Sequence, residues 1–152
     1  MKQIPIDEFT VTGISVRTTN EKGQSAKDIG ALWNRFMTES ILDKISNKTE
    51  DTIYSVYTEY EGDYTKPYTC ILGCKVDNAA YIPDGLVAKT IKRGKYVKFV
   101  SKGDLTKGAV YQTWNEIWNS DLDRAYTSDF EVYGEKTQNP TDAEVEIYIA
   151  LK

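Results

Sequence analysis

The chain has 152 residues, 40% of them apolar and 28% charged, which suits one packed domain and excludes wholesale disorder. Its net charge of −4 argues against a broad nucleic-acid-binding face, because phosphate contact requires a basic patch. With no histidine, Ser-His-Asp and Cys-His nucleophile sets are excluded.

In chain order, the opening "MKQIPIDEF" lacks the apolar run of a signal peptide. No window suits a membrane span. The expectation is a cytoplasmic protein with no membrane contact and no direct nucleic-acid binding. A first strand is predicted within residues 6–19. Ser25 is the expected N-cap of a first helix, with Asp28 in its opening turn. Ile29, Leu32, Trp33 and Phe36 form a single apolar stripe on that helix. "SILDKI" extends it, and two strands follow at residues 52–61 and 68–76. "IPDG", residues 82–85, is a turn signal that separates a first half, about 1–80, from a second, about 84–152.

The second half opens on extended segments at residues 86–91 and 95–101, with a bend at Gly94. Thr106 is the expected cap of a second helix carrying Val110, Trp114, Ile117 and Trp118. A hairpin of residues 129–136 and 144–151 closes the domain, and no appended module is expected. Cys70 and Cys74 sit four residues apart in one predicted strand, too far to bridge, and without His they make a poor zinc site. They read as buried thiols, and no cofactor or metal is expected.

The halves resemble each other. Gly13, Val16 and Trp33–Asn34 fall on Gly94, Val97 and Trp114–Asn115 at an offset of 81. Val56–Tyr57 falls on Val132–Tyr133 at an offset of 76, and "YTCILGCK" overlays "EVEIYIAL". The expected fold is α+β, with tandem duplicated β-α-β-β modules, an antiparallel sheet, two main helices and a central ligand cavity.

In "SDFEVYGEK", Phe130 and Val132 share one strand face, while Asp129, Glu131 and Tyr133 share the other. The residues alone leave two readings open. Glu131 is one charge on a solvated face, or it turns into a cavity with Tyr133 and Tyr148. The repeat places Ser55 opposite it in the alignment, so a carboxylate occurs at this position in only one half. A site between related halves that holds one charge needs that asymmetry.

"LWNRF", "IYSVYTEYE", "TWNEIW", "DFEVYGE" and "VEIYIALK", in this order and spacing, make the chain resemble the GyrI-like effector-binding domains of AraC-type and MerR-type regulators. The likeness covers nearly the whole chain, and without a DNA-binding module the chain is similar to the stand-alone members. It implies a pseudo-symmetric cradle for lipophilic, cationic aromatic small molecules, in drug or toxin sensing or sequestration. It puts Glu131 in the cavity, with Tyr133, Tyr148, Tyr57, Trp33, Trp114 and Trp118 as its aromatic lining. Two alternatives come with it: a hydrolase of cyclopropane-type electrophiles, with Glu131 as general base and Tyr133 assisting, and a gyrase-interacting protein. Non-enzymatic binding is the main expectation. Neither the natural ligand nor any protein partner is legible.

Overall fold

A computed structural model describes residues 2–152. The eight strands are β1 (Gln3–Ile6), β2 (Phe9–Thr18), β3 (Ile53–Thr58), β4 (Tyr68–Val76), β5 (Val87–Ile91), β6 (Gly94–Gly103), β7 (Ser128–Tyr133) and β8 (Ala143–Ala150). The helices are α1 (Gln24–Thr38), a single turn α2 (Ile41–Lys44) and α3 (Ala109–Trp118). All strands join one antiparallel sheet in the order β1-β6-β8-β7-β3-β4-β2-β5. The expected α+β fold of duplicated modules is therefore present.

That order reads alike from both ends once each strand is replaced by its counterpart in the other half. The symmetry centre lies between β3 and β7. There Ser55 stands directly opposite Glu131. The same two residues are equivalent in the sequence repeat, so the pseudo-twofold axis passes through this pair.

Two short links force the sheet to curl. Asp7 and Glu8 alone connect β1 to β2, and Lys92 and Arg93 alone connect β5 to β6. Each link runs between opposite ends of the strand order, yet it reaches only about 10 Å. The ends must therefore approach each other. Ring contacts across the enclosed face agree: Phe9 packs edge-on to Phe130 at 5.2 Å, and Tyr96 to Phe130 at 5.6 Å. Val11, Val56 and Ile71 fill the same interior.

The outer face carries the helices. Leu32 and Phe36 of α1 pack over Ile14 and Leu72, while Ile117 of α3 packs over Phe99 and Ile147. Leu32 and Phe36 correspond to Thr113 and Ile117 at the helix offset of 81 read from the sequence. The strand equivalences shift. Ser55 faces Leu72 and Glu131 faces Ile147, so Leu72 matches Ile147 rather than Tyr148.

The helix starts differ from expectation. Gly23 and Gly108, with φ of 72° and 80°, precede α1 and α3 in left-handed conformation. Glycine adopts that region without steric cost, and it displaces Ser25 and Thr106 from the cap positions. Thr106 instead donates its amide to Asp104, which caps a short 3-10 turn. Asp28 accepts from Thr18 and Gln24. The segment at residues 86–91, read as the start of the second half, becomes β5 and pairs with β2 of the first. β1 precedes the first strand expected from the sequence, within residues 6–19, and pairs with β6 of the second half.

Candidate ligand-binding site

Alternation along β7 turns Asp129, Glu131 and Tyr133 toward the helices, and Phe130 into the curled interior. Glu131 is only 1% exposed. α3 presents Trp114 above it, and the indole Nε1 donates to Glu131 Oε2 at 2.6 Å. The Tyr133 hydroxyl, two residues along the strand, donates to Oε1 at 2.6 Å. Ser55 across the axis donates to the Tyr57 hydroxyl oxygen at 3.1 Å, and the Tyr57 ring meets Trp114 edge-on at 5.4 Å.

Burial pushes the Glu131 carboxyl above the ordinary glutamate value, because desolvation disfavours the charged form. Hydrogen bonding from Tyr133, Trp114 and Tyr57 pulls the other way without overcoming it. Among the described residues no cationic side chain forms a salt bridge with Glu131. Burial first, and then the same carboxylate, push the Tyr57 and Tyr133 hydroxyls up, so both stay protonated at neutral pH. The chemistry on offer is a desolvated acid held among neutral donors and aromatic rings. Such a group gains from a cation that brings its own charge into the pocket.

Asp129, one alternate position away, contrasts with it. It is fully buried and pairs with Arg124 at 2.8 Å. It also accepts from the Tyr60 hydroxyl at 2.6 Å and the Ala150 amide at 2.8 Å. Arg124 stacks on Tyr126 at 4.3 Å and lies 5.9 Å from the Trp114 ring. Sequence reading put Asp129 among the strand's polar residues and did not single out Arg124. The only signal for the pair was a short separation, five residues across a loop.

The structure gathers most of the expected aromatic lining. Tyr133 and Trp114 bond Glu131, Tyr57 adjoins it, and Trp33 meets the Tyr133 ring edge-on at 4.9 Å. Trp118 lies one layer out, 6.1 Å from Trp114 and stacked on Tyr64 at 5.9 Å. Tyr148 is not brought in. Its Cα partner is Phe130, so it lies on the opposite face, stacked on that ring at 4.8 Å. The one-residue shift between the repeats' closing strands accounts for this, since a shift by one exchanges the faces.

A cavity of about 370 Å³ opens beside the cluster, lined by Trp33, Met37, Ile53, Val110 and Tyr133 among others. Tyr133 belongs both to this cavity and to the Glu131 cluster, and stands between them. Trp114 and Tyr133 cover the carboxylate itself, and Glu131 does not line this cavity. Cys70 and Cys74 are free and buried, with Cys70 Sγ 3.7 Å from Ser55 Oγ.

Comparison with known proteins agrees with this geometry. Residues 4–151 match the family model Cass2, described as integron-associated effector binding protein. The chain belongs to this family. Among solved relatives, an integron cassette protein from the mobile metagenome of Vibrio cholerae is 33% identical, with 99% of this chain and 95% of that chain covered and a TM-score of 0.76. YobU of Bacillus subtilis (strain 168), whose name assigns it to transcriptional regulation, is 29% identical over 97% of this chain and 94% of its own. SAV2435, solved bound to tetraphenylphosphonium, shares the fold at a TM-score of 0.80 and 21% identity, over 99% of this chain and 93% of that chain. The expected GyrI-like effector-binding relationship of this Cass2 domain holds. No helix among the described residues is long and apolar enough to cross a membrane.

Proposed function

We propose that this protein is a cytoplasmic binding protein for lipophilic aromatic cations, with Glu131 supplying the counter-charge. One observation carries the reading: Glu131 is buried at the axis between two halves, among donors that are all neutral. Trp114 and Tyr133 hold the carboxylate oxygens that a cationic ligand would face. A ligand entering through the cavity beside Trp33 and Tyr133 displaces one of these donors and places its charge against the acid. The rings then contribute cation–π attraction of roughly 0.5–2 kcal/mol each. Flat walls with a single charge accept many shapes, which fits sequestration or sensing of varied compounds. The tetraphenylphosphonium bound by SAV2435 is a ligand of this chemistry.

Hydrolysis is the weaker reading. Glu131 would act as a general base only with a water within hydrogen-bond reach, and no observation favours that over a bound cation, since each Glu131 oxygen is held by a neutral donor.

Calorimetry with tetraphenylphosphonium and with neutral triphenylphosphine oxide tests the proposal. Strong preference for the cation, lost in Glu131→Gln while the circular dichroism is retained, is the expected result. Equal affinity for both compounds, or unchanged cation affinity in the variant, overturns it.

A further inference from the structure

A second cavity, of about 470 Å³, opens at one mouth of the curled sheet, where the β5–β6 link passes the end of β3. It lies away from the Glu131 cluster and shares no residue with the cavity beside Tyr133. The chain carries net negative charge, yet this mouth is cationic. Lys89, Lys92, Arg93 and Lys95 line it, and among the described residues Glu59 is its sole acidic lining residue. Glu59 pairs with Lys89 at 3.6 Å. Among the described residues, Lys92, Arg93 and Lys95 form no ion pair.

The walls are aromatic. Tyr60 and Tyr126 meet edge-on at 5.6 Å along one side, and buried Tyr96 lies at the base. Tyr126 is held in a left-handed backbone conformation, φ 54°, which a bulky residue adopts rarely. Arg124 stacked on its ring fixes it there. Since Asp129 already neutralises Arg124, the guanidinium shapes the wall without adding net charge. Three uncompensated cations on the rim of a pocket with ring walls select an anion with a planar apolar body. The volume lies within the range of small-molecule sites.

We propose that this mouth is a second ligand site, taking a planar organic anion such as an aromatic carboxylate or sulfonate. The test uses 1-naphthalenesulfonate in calorimetry, with inorganic phosphate as the charge-only probe. Naphthalenesulfonate is expected to bind the intact protein, to weaken at high salt, and to lose at least tenfold in affinity in Lys92→Glu/Arg93→Glu. Both side chains are exposed, so the fold survives the exchange. Glu131→Gln is expected to leave this binding within twofold, which separates the site from the cation site. No binding, unchanged binding in the double variant, or loss of binding in Glu131→Gln overturns the proposal. Phosphate binding as tightly as naphthalenesulfonate also overturns it, because the rings would then play no part.

Discussion

Asp129 and Glu131 are neighbours on one face of one strand, both buried and both pushed up by desolvation, yet their surroundings differ in kind. Asp129 has a guanidinium at 2.8 Å. Glu131 has an indole N–H and a phenol, neither of them charged. The difference separates structure from function. An acid whose counter-charge is built in completes a core, whereas an acid given only neutral donors still gains from a charge brought from outside. Burial alone does not distinguish the two; the charge of the partner does.

Removing the built-in partner is the strongest way to break this comparison. Arg124→Met leaves a lone buried carboxylate and is expected to lower stability by about 3–5 kcal/mol in urea unfolding. Arg124→Met with Asp129→Leu is expected to recover most of that loss. Glu131→Gln should act oppositely: stability changes by less than about 1 kcal/mol, while tetraphenylphosphonium affinity falls more than a hundredfold, roughly 2.7 kcal/mol.

The pH dependence sharpens the comparison. Glu131 titrates above 4.5 when folded, so between 4.5 and its raised value the folded state holds a proton that the unfolded state has released. Stability therefore falls as pH rises through that window. Cation affinity runs the other way, rising with pH as the carboxylate ionises. Thermal unfolding and calorimetry between pH 4 and 8 check both; Glu131→Gln should flatten the affinity profile and remove Glu131's part of the stability slope, leaving that of Asp129, which burial also pushes up. The smallest effect belongs to Tyr148→Phe. Tyr148 faces Phe130 and hydrogen-bonds Glu146 at 3.2 Å, so cation affinity should stay within twofold of the intact protein.

Local pattern made part of this molecule legible. The helix stripes gave the buried Leu32, Phe36 and Ile117, and the repeat gave the two modules and the Ser55–Glu131 equivalence. Alternation placed Glu131 with Tyr133. It could not place Tyr148, because which faces coincide depends on the register across the β7–β8 connection, where Gly134 and a 3-10 turn at Glu135–Thr137 intervene. The salt bridge of Arg124 escaped for a similar reason: a loop arginine reveals its partner only after the chain has turned back. β1 escaped because four residues containing Pro5 make a weak strand signal, although proline is at home on an edge strand such as this one. The partners of β1 and β5 are remote in sequence, and nothing local specifies them.

That crosswise pairing has a consequence for how the molecule could have arisen. β1 completes the sheet of the later module and β5 that of the earlier one. A single-copy forerunner built on this plan would have been a homodimer whose subunits traded their first strands, with identical side chains meeting at the central pair. Joining two such copies in one chain would free those positions to diverge. One could then become a serine while the other stayed or became an acid, an arrangement that a symmetric dimer of identical chains cannot encode.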